Sequence, residues 1–198
     1  MARLLVLVLD MLNITRTAID GVVVIAPKRF GDDRGFFSET FSHKRLSQAG
    51  IHIDFVQDNQ SMSTLCGTVR GLHFQAPPHA QAKLVRCGRG RFFDVAVDIR
   101  KGSPTFGQWV GEELSYENGK QLFVPAGFLH GFVTREPNTE ILYKCSDYYA
   151  PECDGAVRFD DPDIGVDWGL NGAPAALSDK DTNASFFKDF VSPFVFES

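Results

Sequence analysis

Glycine and proline punctuate this chain often enough to favour strands and turns over long helices. The chain holds 18 glycines and 10 prolines, and either residue in a helix interior costs about 1 to 3 kcal/mol relative to alanine. The stretches between the breaks are rich in aromatic and β-branched residues in alternating patterns, which suits pleated, half-buried surfaces. "GVVVIAPKRFGDDRGFFSETF" reads as a strand, a Gly-Asp-Asp turn and a second strand, and "HKRLSQAG" as at most two turns of helix closed by Gly50. "KLVRCGRGRFFDVAVDIR" predicts a hairpin turning at Gly88 and Gly90. Its second arm places Val95, Val97 and Ile99 on one face and Asp94, Ala96 and Asp98 on the other. "GQWVGEELSYENGKQLFVPAGFLHGFVTR" predicts another hairpin, turning at Asn118-Gly119. In "TEILYKCSDYY", Leu142 and Lys144 share one face, and Ile141, Tyr143 and Cys145 the other. From Ala150 onward Asp, Pro and Gly predominate, which predicts an ordered wrap with a short terminal helix near "NASFFKDFV". The expected class is all-β, a jelly-roll barrel or sandwich with a few short helices, mainly near the C-terminus.

With 198 residues, 43% of them hydrophobic, the chain suits one domain spanning residues 1–198. A net charge of −5 argues against a general nucleic-acid or membrane-surface binder, which needs a basic face. Cys66, Cys87, Cys145 and Cys153 form no C-x-x-C pair. They read as reduced thiols of a cytoplasmic protein. The opening "MARLLVLVLD" has too short an apolar run to span a membrane, and no small-residue cleavage site follows. It reads either as an added strand or as a non-native start ahead of Met11.

The segment "PAGFLHGF" contains Pro125, Gly127 and His130 in the spacing P-x-G-x-x-H, which resembles the second conserved motif of the cupin barrels. Gly67 and His73 stand as G-x5-H, resembling the start of the first motif. In metal-binding cupins a second histidine follows two residues later and then a glutamate; here Gln75 takes the histidine's place and no glutamate follows nearby. A divalent metal normally needs three or four ligands and this pattern supplies two, so the expectation is a barrel without metal. Two hydrogen-bonded core histidines would also satisfy the pattern. Arg70, Gln75, Lys83 and Asp94 near His73 favour a working pocket, since burying several charges without use is costly.

"FGDDRGFFSETF", "FVQDNQS", "VRGLHFQ", "AKLVRC", "FDVAVDIRKGSPTFGQWVGEELS", "QLFVPAGFLHGFVT", "LYKCSDYY" and "DPDIGVDW" occur together and in order. The set resembles the dTDP-4-dehydrorhamnose 3,5-epimerases over about residues 12–182. The resemblance implies a homodimeric cupin-type jelly roll needing neither metal nor other cofactor. It implies conversion of dTDP-4-dehydro-6-deoxy-D-glucose to dTDP-4-dehydro-L-rhamnose. Members of the family begin close to this chain's Met11, which favours the added-start reading of residues 1–10. A 4-keto group acidifies the C–H bonds at C3 and C5, so the chemistry needs a base, an acid and a partner for the enolate. A histidine titrates near neutrality and a phenol stays protonated there.

By the family match His73 would be the base, Asp181 in "LSDKD" its carboxylate partner, Tyr143 the acid and Lys83 the cation at the enolate oxygen. Read alone, Asp181 fits a helix cap ahead of "TNASFF" and Tyr143 a core tyrosine. The remaining matches would bind substrate. These are Arg34, Arg70, Glu39, Gln57, Asp58, Asn59, His130, Tyr149 stacking on the base, Asp154 where the family usually has Glu, and Lys180. Arg34 and Glu39 also read as a simple surface ion pair. The loop in "DNQSMSTLCGT" is about one residue longer than is common in the family. Three other readings use the same barrel: a 3-epimerase of another nucleotide 4-ketosugar, a non-catalytic sugar-binding cupin and a metal-dependent cupin oxygenase.

Overall fold

The computed structural model describes residues 6–9 and 11–197. The opening segment supplies β1 (Val6–Leu9), which pairs antiparallel with β2 (Leu12–Arg16). Then follow β3 (Val23–Pro27), a small hairpin of β4 (Phe30–Asp32) and β5 (Gly35–Phe37), and helix α1 (His43–Gln48). Thus Gly31 and Asp32 lie within a strand, and the expected turn falls one to two residues later. The long middle of the chain is β6 (Gln57–Ser63), β7 (Val69–Gln75), β8 (Lys83–Arg89), β9 (Arg91–Asp98), β10 (Trp109–Ser115), β11 (Gln121–Val124), β12 (Phe128–Thr134) and β13 (Thr139–Cys145). Strand β14 (Asp154–Ala156) and helix α2 (Asp179–Thr182) complete the regular elements.

Two sheets face each other in a jelly roll. One has the order β1-β2-β3-β11-β8-β13-β6 and the other β10-β9-β12-β7-β14. Val24, Val85, Leu122 and Ile141 from the first sheet meet Phe92, Ala96, Leu114 and Phe132 from the second in the inter-sheet core. The outer face of the second sheet, with Val95, Val97, Ile99 and Leu129, is covered by Val157, Ile164 and Trp168 of the C-terminal wrap. The alternation read in β9 therefore holds: its apolar face lies under the wrap, and Asp94 and Ala96 look into the barrel.

Both predicted hairpins in the middle of the chain are corners between sheets. β8 pairs with β11 and β13, whereas β9 pairs with β10 and β12. Gly90 makes the first corner in the left-handed region, so close to Thr139 that a Cβ there would lie 2.7 Å from its Oγ1. At the second corner Tyr116 and Glu117 lengthen the loop, so Asn118-Gly119 is not the centre of a two-residue turn. The Asn118 side chain instead accepts from the N–H of Ser115 (3.1 Å) and Lys120 (2.9 Å) and donates to the Glu113 carbonyl (2.8 Å). These bonds stabilise a corner that leaves β11 free to join the other sheet.

The expected terminal helix near "NASFFKDFV" is also displaced. Helix α2 ends at Thr182, and within that segment only Phe187–Asp189 forms a 3-10 turn. Phe190 and Phe194 dock edge-on against Phe74, with ring centroids at 5.3 and 6.2 Å.

Candidate active site

Arg70 and His73 are three residues apart on β7, yet both line one cavity, which a regular strand forbids. A bulge explains it. His130 on β12 stands opposite His73, and two residues further on Phe132 stands opposite Arg70, so three steps on β7 match two on β12. Val69 and Leu72 correspondingly share the outer face. Gly71 sits at the bulge with φ +134°, and a Cβ there would lie 2.6 Å from the Gly131 Cα. Only glycine fits this approach of two backbones.

The bulge points His73 at Asp181, whose Oδ1 lies 2.6 Å from the imidazole Nε2. The same oxygen accepts the Gly71 N–H at 3.2 Å, and Oδ2 accepts the Ser178 hydroxyl at 2.6 Å. Ser178 is the N-cap of α2 and takes the Asp181 N–H at 3.2 Å. The capping role read for Asp181 thus belongs to Ser178, and the buried Asp181 carboxylate is left to orient the histidine. Burial works to raise the Asp181 carboxyl, but hydrogen bonds from His73 and Ser178 and the charge on His73 outweigh it and hold it below the usual carboxylate value. An ionised Asp181 fixes a proton on His73 Nε2 and leaves Nδ1 as the basic nitrogen.

The other sheet supplies the facing wall. Asn59 and Ser61 on β6, Lys83 on β8 and Tyr143 on β13 alternate inward, with Tyr143 directly across from Asn59 and Val85. Burial raises the Tyr143 phenol above its ordinary value, with Asn59 and Arg70 opposing more weakly, so it remains an acid at neutral pH. Burial likewise lowers the Lys83 ammonium, offset in part by the carboxylates of Asp94 and Asp154. His130 Nε2 bonds Asp94 Oδ1 at 2.7 Å, forming a second histidine–carboxylate pair. The cavity enclosed by Arg70, His73, Lys83, His130, Tyr143 and Asp181 measures about 300 Å³.

A second cavity of about 410 Å³ opens from it, sharing His73, Lys83, Tyr143 and Lys180, and extends past Gln57, Asn59, Tyr149 and Asp154. Here Lys180 Nζ pairs with Asp154, which also accepts the Tyr149 hydroxyl at 3.3 Å. The position of the cupins' second metal histidine is committed elsewhere. Gln75 donates to the backbone carbonyls of His79 and Tyr148 and accepts the Ala150 N–H at 2.9 Å. Among the described residues no three His, Cys, Asp or Glu side chains gather closely enough to hold a metal ion.

A family model described as dTDP-4-dehydrorhamnose 3,5-epimerase matches residues 16–189. The dTDP-4-dehydrorhamnose 3,5-epimerase of Pseudomonas aeruginosa is 51% identical over 176 residues, covering 88% of this chain and 96% of that protein. The chain belongs to the dTDP-4-dehydrorhamnose 3,5-epimerase family. Among solved structures, the dTDP-6-deoxy-D-glucose-3,5-epimerase of Legionella pneumophila in complex with dTDP-4-keto-L-rhamnose superposes with a TM-score of 0.90 at 45% identity, covering 94% of this chain and 100% of that one. A 3'-monoepimerase of Streptomyces bikiniensis in complex with dTDP-quinovose superposes with a TM-score of 0.80 at 34% identity, covering 86% and 85%.

Of the residues matched to this family, the two cavities bring together His73, Asp181, Tyr143, Lys83, Arg70, His130, Gln57, Asn59, Tyr149, Asp154 and Lys180. Three do not join them. Arg34 lies on the exposed β4–β5 hairpin, paired with Asp32 at 2.6 Å. Glu39 pairs with Arg45 at 2.6 Å, so these two residues are also not paired with each other. Asp58 points to the opposite face of its strand, where it meets Lys144 at 3.0 Å, because strand alternation separates it from Gln57 and Asn59. Asp58→Ala is accordingly expected to leave kcat/KM within about threefold and stability within about 1 kcal/mol, in steady-state kinetics and thermal melts. An Asp58→Ala enzyme with tenfold weaker kcat/KM would restore it to the site.

Ser61 and Ser178, which the family resemblance did not mark, also line the inner cavity, and Asp94 bonds His130 behind its wall. Strand alternation offered a signal for Asp94, grouped with Ala96 on the polar face of β9. The pattern [ST]-x-x-[DE] in "SDKD" offered one for Ser178.

Proposed function

We propose that this chain inverts C3 and C5 of dTDP-4-dehydro-6-deoxy-D-glucose to give dTDP-4-dehydro-L-rhamnose. The observation that carries the reading is the pairing of two proton-transfer groups on opposed walls: His73, oriented by Asp181 from one sheet, and Tyr143 from the other. His73 Nδ1 takes the proton from the carbon beside the ketone, and the electron pair moves to the C4 oxygen as an enolate. Lys83 meets that charge. Tyr143 returns a proton to the opposite face of the carbon, which inverts it. His73 has then gained one proton and Tyr143 lost one, and exchange with solvent restores both before the second carbon reacts. Arg70 meets sugar or diphosphate oxygens, and the rim of Gln57, Asn59, Tyr149, Asp154 and Lys180 holds the nucleotide end, with His130 lining the sugar pocket.

In D2O, turnover of the 4-keto-6-deoxyglucose nucleotide should place deuterium at both C3 and C5, read by NMR. Label at C3 alone would select a 3-epimerase, the activity of the Streptomyces bikiniensis neighbour. No label at either carbon would leave a sugar-binding barrel.

We further read the protein as a cytoplasmic homodimer of single-domain chains working without metal or other cofactor. Phe36 and Phe37 on the β4–β5 hairpin are 45% and 67% exposed beside Arg34, an apolar surface suited to a second copy. The four cysteines are free, and no helix among the described residues is long and apolar enough to cross a membrane.

A further inference from the structure

Asp94 has no part in the proton transfers derived above, yet it is fully buried in the barrel. His130 Nε2 holds its Oδ1 at 2.7 Å, while Oδ2 has no partner among the described residues. A buried carboxylate oxygen in that state is strongly unfavourable unless a positive charge stands near. Lys83 presents the complementary problem. It projects from β8 into the cavity that His130 lines, and among the described residues its ammonium makes no hydrogen bond or ion pair.

The other charged groups near Lys83 are engaged. Asp154 is held by Lys180 and Tyr149, and Asp181 by His73, Ser178 and the Gly71 N–H. The Cys145 thiol is kept protonated by burial. Lys180 and Arg70 carry Lys83's own sign, and His73 and Tyr143 complete the cavity wall. Facing Asp94 from the neighbouring strand β10 is Glu112, which Lys120 neutralises at 2.6 Å. Asp94 is thus the carboxylate of this group whose unpaired oxygen is buried. Burial lowers the Lys83 ammonium, and Asp94 is among the groups that oppose the shift. Burial raises Asp94, and His130 and then Lys83 oppose that in turn.

We propose that Asp94 is the buried counter-charge that keeps Lys83 an ammonium ion, with His130 Nε2 bonded to its other oxygen. Asp94 is then a positioning residue: it touches no reacting atom but holds the proton on the group that meets the enolate. This rests on the enolate reading of the site.

Two measurements test it. Asp94→Asn is expected to move the alkaline limb of the kcat–pH profile down by about one to two units, and Asp94→Glu to leave it in place. A limb in Asp94→Asn that coincides with the parent's overturns the proposal. The second measurement needs neither turnover nor an Asp94 variant that folds. In the substrate-free enzyme the Asp94 carboxyl is followed by 13C NMR, and Lys83→Met is expected to raise its titration midpoint by at least about one unit, since coupling between two sites is mutual. An unchanged midpoint overturns the proposal whatever the enzyme's substrate proves to be. An intact coupling without deuterium uptake overturns the epimerase reading alone.

Discussion

His73→Asn should lower kcat by about three to four orders of magnitude and abolish deuterium uptake at C3 and C5, followed by NMR. Asparagine fills much of the imidazole's volume and keeps a donor for Asp181, but its amide accepts no proton at neutral pH. Asp181 itself stays hydrogen-bonded to Ser178 at 2.6 Å and to the Gly71 N–H at 3.2 Å, so the loss should be chemical and the melting temperature should move by only a few degrees. KM should change little, because Tyr149 and Lys180, proposed above to hold the nucleotide end, keep their contacts with Asp154. Measurable exchange in His73→Asn would transfer the base to another group.

Tyr143→Phe should separate proton removal from inversion. His73 and Asp181 remain, so C–H exchange continues, while product formation falls by about 10² to 10⁴ for want of a proton donor on the opposite face. The parent phenol is suited to the task because burial holds it above its ordinary pKa, so it carries its proton throughout the neutral range. Phenylalanine retains the ring that packs against the inter-sheet core, so stability should change little. Unchanged product formation would remove Tyr143 from the acid's role.

The strands were legible because alternation is local: β9 and β13 show their faces in the residue pattern. The corners at Gly90 and Asn118-Gly119 were not. Turn chemistry specifies that the chain reverses, but whether the next strand rejoins the same sheet depends on partners far along the chain. The bulge is intermediate. A glycine inside a strand pattern is a known mark of one, yet the two faces of "VRGLHFQ" can be assigned only once Gly71 is seen against Gly131. The partnership of His73 with Asp181 spans 108 residues and was visible only through family likeness. The displacement of Arg34 and Glu39 from the cavity could not be seen by matching, which carries a residue's role but not its place.

A barrel whose corners alternate between two sheets cannot assemble its chemistry piecemeal. His73 and His130 come from one sheet, Lys83 and Tyr143 from the other, and Asp181 from the wrap that closes last along the chain. Topologies dominated by such distant pairings fold in milliseconds to seconds rather than microseconds. During refolding, secondary structure and even buried aromatic signal should therefore return while the protein is still catalytically silent. Turnover becomes a clock for the final closure, and a chain cut just before Ser178 would keep two sheets while losing the carboxylate that orients its base.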